Sequence, residues 1–474
     1  MSAEAIPVRS FDYITKGPVG QAVVRLAWPV VLAEALHTLF HIVDIAWVGR
    51  LGAWATAAIA SSMFALWTVF AVANLVATGL TAQVSRSLGA GDRERAGHAN
   101  AQAMLFAFGL GCIVALLCWL LAGRLFVALG ATPAVARAGG RFLTIYGAGA
   151  PFSFLYTTSS AAMRASGDTR TPMIITASAL AANAALDPLL IYGWGPFPRW
   201  EVAGAACATV LCQTAAAAAF LTLASRRHPA FPLEPRSLLR LDTRVIGLQA
   251  RIGAPYCLVG TLFSLNYLLF SAVAARFGDA ALAVIGISNR LESITYLAAD
   301  GFAVAAATLV GQNLGASRPE RAERGAWLAT ATVSAAAAGL TLILLLFPRE
   351  LFRIFTPDPA VIGLGTGYLR ILALCQVATA VEGVLGGVFA GAGDTVPPMT
   401  IHLLFGAARP GLAYALAVGL GFGLTGIALT ISITCILRAA LLLAIFLRGG
   451  WKRHRLPGWI PPALPAEDAP DLST

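Results

Sequence analysis

Charge is what this sequence has least of. Only 12% of its 474 residues are Asp, Glu, Lys or Arg, 58% are hydrophobic, and the mean hydropathy is +0.76. Soluble domains carry about a quarter charged residues, so that class is excluded and an all-α integral membrane protein is implied. No G-x-x-x-x-G-K-[ST] loop is present, which removes support for ATP-driven work, and no H-E-x-x-H pair is present to mark a zinc hydrolase. The seven cysteines fall inside apolar runs without a CxxC pair, so neither a disulfide framework nor a metal site is expected of them. The opening MSAEAIPVRSFDYITKGPVG lacks the apolar core of a cleavable signal peptide, so the first apolar run is expected to stay in the mature chain. A formal charge of +10 would suggest nucleic acid for a soluble chain. Here the arginines sit in short loops between apolar runs, as a membrane surface requires, and no nucleic-acid partner is expected.

What is there is a series of apolar runs, each near the ~20 residues needed to cross a bilayer. Twelve are placed at about 24–48, 55–80, 99–121, 141–163, 172–193, 202–224, 248–274, 281–309, 325–347, 364–389, 399–420 and 424–446. Organisation follows: an N-terminal segment 1–23, a first six-helix lobe 24–224, a polar linker 225–247, a second lobe 248–447 and a tail 448–474. Most Lys and Arg fall on the side that holds both termini, which makes that side cytoplasmic. The halves also repeat at a constant offset of 226 residues. Pro29 matches Pro255, Gly52 matches Gly278, Leu88-Gly89-Ala90 matches Leu314-Gly315-Ala316, and Gly167-Asp168-Thr169 matches Gly393-Asp394-Thr395. Six spans per copy give both copies one topology, so a pseudo-two-fold axis along the membrane normal relates the lobes, with a pathway between them. This is a transporter architecture, and no enzyme activity is expected.

The polar residues inside the runs are the candidates for function, since an intramembrane acid costs about 2.5–3.5 kcal/mol on insertion scales. In the first run Glu34, His37, His41 and Asp44 recur at spacings of three, four and three, forming one helix stripe beyond the kink expected at Pro29. Asp44 is the leading cation-coupling candidate; the repeat puts Phe270 at its position in the second half, so the acid is no requirement of the fold. Asn183 and Asp187 are four apart on the fifth run, directly before Pro188, and face one way. Their repeat partners are Arg409 and Ala413. The two histidines are open to three readings: a proton relay with Asp44, plain hydrogen bonds to neighbouring helices, or a metal face with Asp44. In the second half Asp300, whose repeat partner is Asn74, and Glu382 are secondary candidates, with Glu292 beside them. The seventh run has no acid.

Together VDIAWVGRLG (43–52), the LGAGDRERA and LGASRPERA loops, and SGDTRTPM with AGDTVPPM resemble the MATE multidrug and toxin extrusion transporters over nearly the whole chain. NAALDPLLIYG (183–193) is similar to the bacterial branch named for DNA-damage-inducible protein F. The resemblance implies a two-lobed, twelve-helix monomer in the lipid bilayer that exports lipophilic, often cationic small molecules in exchange for H⁺ or Na⁺, with no other cofactor. It also implies that Asp44, Asn183 and Asp187 line a first-lobe cavity, with Thr209 as a corresponding hydroxyl. Where the family often carries a Tyr early in the fourth span, this chain has Phe142, and Tyr146 one turn on is a possible substitute. A lipid-linked precursor flippase, for which Arg290, Arg370, Arg409 and Arg438 would form a cationic cavity, and an intramembrane metalloprotein using His37, His41 and Asp44 are the rival readings.

Overall fold

The structure is a computed structural model that describes residues 12–128, 130–225, 237 and 240–456. Residues 1–11, most of the expected linker and the tail beyond 456 lie outside the described residues. Within them the chain is helical, and each long helix follows an apolar run, many of them bounded by Gly or Pro. Span 1 is Val19–Gly49, span 2 Ala53–Gly89, span 3 Arg93–Ala128, span 5 Arg170–Tyr192 and span 6 Val202–Ser225. In the second half span 7 is Thr243–Ala274, span 8 Asp279–Gly315, span 9 Pro319–Leu346, span 11 Val396–Tyr414 with a π turn Ala415–Gly419, and span 12 Leu424–Leu447. These ten are long and apolar enough to cross a membrane singly.

Spans 4 and 10 correct the sequence expectation of two unbroken helices. Span 10 is a pair, Pro359–Ala373 and Gln376–Ala392, bent by 48°. Its repeat counterpart, Pro133–Ala148 and Ala150–Ser166, breaks at Gly149 in the same register. Span 2 and span 8, at 37 residues each, also run well past the apolar windows. At 1.5 Å per residue they are about 55 Å long, against a hydrocarbon thickness of ~30 Å, so their polar ends stand outside the bilayer where hydropathy gives no signal.

The repeat is visible in hydrogen bonds as well as helix ends. Thr169 of the first GDT turn donates to the Arg25 carbonyl at the base of span 1 (3.4 Å), and Thr395 of the second donates to the Ile252 carbonyl at the base of span 7 (2.7 Å). Each GDT threonine thereby ties its lobe's first helix to the turn before its fifth.

Contacts between the lobes gather in the half of the membrane nearest the termini. Arg86 donates to the Ala392 carbonyl (2.7 Å), Thr308 to Arg164 (3.0 Å), Gln312 to Ala165 (2.9 Å) and Gln249 to Ala99 (2.9 Å). Spans 2 and 7 approach so closely there that a Cβ on Gly253 would come within 1.7 Å of the Leu75 carbonyl oxygen. The base of span 1 is built into the second lobe's core: Ala22, Val23, Leu26 and Ala27 pack with Leu309, Val310 and Val388. The turn Asp12–Thr15 closes this end. Tyr13 donates to the Gly167 carbonyl of the first lobe (3.1 Å), while the carbonyls of Ile14, Thr15 and Gly17 accept from Asn313, Arg318 and Arg321 of the second. Past Val31·Gly301 and Ala71·Gly260 towards the far side, spans 1 and 7 expose Leu39, Ile42, Leu265 and Leu268.

Candidate functional site

Spans 1 and 5 pack side by side. Asp44 lies five residues before the far end of span 1, and Asp187 five before the far end of span 5. Both acids therefore sit about 8 Å inside the far ends of their helices, in the outer part of the bundle rather than at mid-span. Asn183 donates to Asp187 Oδ1 (3.0 Å), the one-turn contact expected of residues four apart. The Asp44 and Asp187 side chains face each other within hydrogen-bonding reach. Asp187 is fully buried and Asn183 nearly so, while Asp44 is partly accessible. Asp44 Oδ1 and Asp187 Oδ2 have no donor among the described residues. Ionised carboxylates only accept hydrogen bonds, so two of them in contact require a proton or a cation to be satisfied. Pro188 is accommodated inside span 5 without ending the helix.

The same helix ends carry an aromatic cluster that the sequence reading did not single out. Trp47, Tyr192 and Trp194 form a cluster with ring centroids 5.7–6.2 Å apart, Tyr192 donates to the Trp47 carbonyl, and Arg50 lies over the Trp47 ring at 4.8 Å. Trp47 follows Asp44 by three residues and Tyr192 follows Asp187 by five, so the acids and the aromatic cluster share the same helix ends. That spacing was the available signal.

The other candidates separate from this pair. Thr209 donates to the Ala205 carbonyl within its own helix (3.0 Å) and makes no hydrogen bond to Asp44, Asn183 or Asp187. Tyr146 stacks on Phe142 (6.2 Å, 14°) and its hydroxyl engages Gln213, which also takes a hydrogen bond from Ser153. Tyr146 is thus wired to span 6 and not to the acids. His37 and His41 make an edge contact with each other (4.7 Å), and Glu34 lies in the electrostatic neighbourhood of Arg164 and His41. Because Asp44 turns to Asp187, the two-His-plus-acid face is not assembled. Among the described residues no group of three His, Cys, Asp or Glu side chains could hold a metal ion. Asn74 donates to the Phe70 carbonyl of its own helix, and Asp300 is exposed on span 8.

The second lobe holds a different polar core. Glu382 is paired on both oxygens, with His402 Nε2 (2.8 Å) and Arg438 Nη2 (3.1 Å). Arg409, at the register of Asn183, donates to Thr434 Oγ1 (2.7 Å) and Cys435 Sγ (2.9 Å). Nearby Glu292 accepts from Gln376 (3.3 Å), which takes a hydrogen bond from Thr295 (2.6 Å). Arg409 and Arg438 are buried inside this lobe, whereas Arg290 and Arg370 are exposed, so the four arginines do not converge on the cationic cavity that the flippase reading needs.

The MatE family profile matches residues 29–189 and 255–414, one block in each lobe. A probable multidrug resistance protein NorM from Thermotoga maritima is 28% identical over 450 residues, covering 94% of this chain and 96% of the relative. An FAD transporter from Shewanella oneidensis is 27% identical, covering 76% and 79%. Among solved structures, a MOP superfamily transporter from Pyrococcus furiosus superposes with a TM-score of 0.87 at 21% identity, covering 96% of this chain and all of that one. The duplicated profile match, the near full-length relatives and the two-lobed fold agree: this chain is a membrane transporter of the MATE family.

Proposed function

We propose that this protein is a cation-coupled antiporter of a bacterial inner membrane that exports lipophilic, often cationic compounds, with H⁺ as the main coupling ion and both termini cytoplasmic. The carrying observation is the Asp44–Asp187 carboxyl pair, two acids facing each other, with Asn183 donating to Asp187 alone. A proton bound there removes the repulsion between the acids. Its binding moves the alternating-access equilibrium to the extent that it differs between the two states of the protein. The joining of the lobes on the side of the termini supports an outward-open reading: with cytoplasmic termini, external protons would reach the pair as drug leaves between the lobes. Apolar and aromatic side chains between the lobes hold such cargo with few polar anchors. The multidrug resistance relative supports the cargo class, and NAALDPLLIYG supports the branch named for DNA-damage-inducible protein F.

The test is efflux of a fluorescent cationic dye from proteoliposomes under a pH gradient without Na⁺. Transport is expected, and Asp44→Asn should reduce it at least tenfold while leaving the protein folded and inserted. Transport that needs Na⁺ at uniform pH would overturn proton coupling. Unimpaired Asp44→Asn protein would overturn the site.

A further inference from the structure

At the terminal side of the first lobe, away from the acids, spans 1 and 5 leave a groove of about 480 Å³ lined by Gly20, Gln21, Val24, Arg25, Trp28 and Arg170. One wall is a ridge of span 1. Gly20, Val24, Trp28 and Leu32 recur every four residues and are exposed, the last three at 52%, 41% and 42%. The other wall begins at Arg170 and continues one turn up at Ile174, 57% exposed. The Arg25 guanidinium lies over the Tyr13 ring (4.4 Å) and that of Arg170 faces Trp28 (5.8 Å). Among the described residues neither guanidinium has a carboxylate within 4.0 Å. The nearest acid in sequence, Asp168, is buried and turns its Oδ1 to the Thr171 amide (3.0 Å).

We propose that this groove binds one anionic phospholipid of the membrane leaflet on the side of the termini. Two guanidinium groups at the membrane–water boundary, without a carboxylate partner, fit a phosphodiester. The lining has no acid to receive the ammonium of a zwitterionic headgroup. Trp28 stands at the depth where indole rings sit between headgroup and hydrocarbon. The apolar ridge above it runs along the span as an acyl chain does, which a soluble phosphate would not use. Because Arg25 also touches Tyr13, the bound lipid would brace the turn that joins the two lobes.

Full-length protein in neutral detergent is incubated with phosphatidylglycerol, phosphatidylcholine or glycerol phosphate, and bound ligand is counted by native mass spectrometry. Phosphatidylglycerol should be retained in clear preference to phosphatidylcholine. Each of Arg25→Gln and Arg170→Gln should weaken it about fivefold and the pair roughly twenty-five-fold, whereas Arg25→Lys with Arg170→Lys should keep the preference. Glycerol phosphate at equal concentration should not compete. Equal retention of both lipids, unchanged binding in the glutamine variants, or competition by glycerol phosphate would each overturn the proposal. Should the double glutamine variant fail to fold, as its melting temperature would reveal, the single variants against the lysine pair decide.

Discussion

Asp187 and Glu382 are both buried acids, yet their surroundings assign them opposite parts. Asp187 meets another acid and one amide; Glu382 has the His402 ring on one oxygen and the Arg438 guanidinium on the other. Asp187→Asn should therefore cut proton-driven efflux at least tenfold with a melting temperature close to wild type. Glu382→Gln strands the buried Arg438 charge, which costs about 3–5 kcal/mol. Its signature should be a lower melting temperature with coupling intact in the protein that survives. The reverse pattern, measured by paired efflux and thermal-shift assays, would move the working site to the second lobe. Asp44 and Asp187 could be found in the sequence because an acid in an apolar run is costly, and one-turn spacing gave Asn183 its partner. Thr209 could be named only through resemblance, and its hydroxyl is spent on its own helix. Trp47 and Tyr192 escaped notice because aromatic residues near helix ends are common in any membrane protein.

At the level of elements, the short N-terminal turn does more than its length suggests. Arg321 donates to the carbonyls of Ile14 and Gly17, so the turn hangs from the second lobe while Tyr13 holds the first. Arg321→Ala should loosen this closure. Maleimide labelling of a cysteine placed at Ala392 should speed up severalfold, and unchanged labelling would show the turn to be passive. The end of the interlobe linker is held by a second device: Gln102 bonds the carbonyls of Ser237 and Arg240, and His98 faces Asp242 (3.2 Å). The His98 hydrogen bond pulls the Asp242 carboxyl below its ordinary value of 3.8. A depressed acid contributes its full stabilisation above the unfolded value and loses it as pH falls through the folded one. The protection of the amides at 240–245, taken relative to their intrinsic exchange rates, should thus hold down to about pH 4 and fall below it, a fall absent in Asp242→Asn. None of these ties was legible beforehand, since each joins residues more than a hundred positions apart. The breaks in spans 4 and 10 were hidden for another reason: hydropathy averages across a bend.

Over the whole molecule, the lobes meet where backbone can touch backbone. Any side chain at Gly253 would collide with Leu75, so Gly253→Val should prevent closure on the terminal side and shift the protein to its other state. Spin labels on the terminal-side turns of the two lobes should then separate by several ångströms, and an unchanged distance would show that the interface is adaptable. The two-lobed plan itself was written in the sequence, because a 226-residue offset survives in glycines, prolines and turn residues that the backbone cannot do without. Which end the lobes close was not, since the contacts that close it join residues far apart in sequence. The same offset lets the two halves be compared position by position. Phe270 and Ala413 stand at the registers of Asp44 and Asp187, and they too come together, in a cluster of hydrocarbon with exposures of 2% and 0%. The register that carries a polar pair in the first half is filled with hydrocarbon in the second. On the coupling proposed above, damage at these four positions should therefore read out in two ways: in the first half a lost acid should leave an intact protein that no longer exchanges, and in the second a trimmed ring should leave a machine that no longer holds its shape.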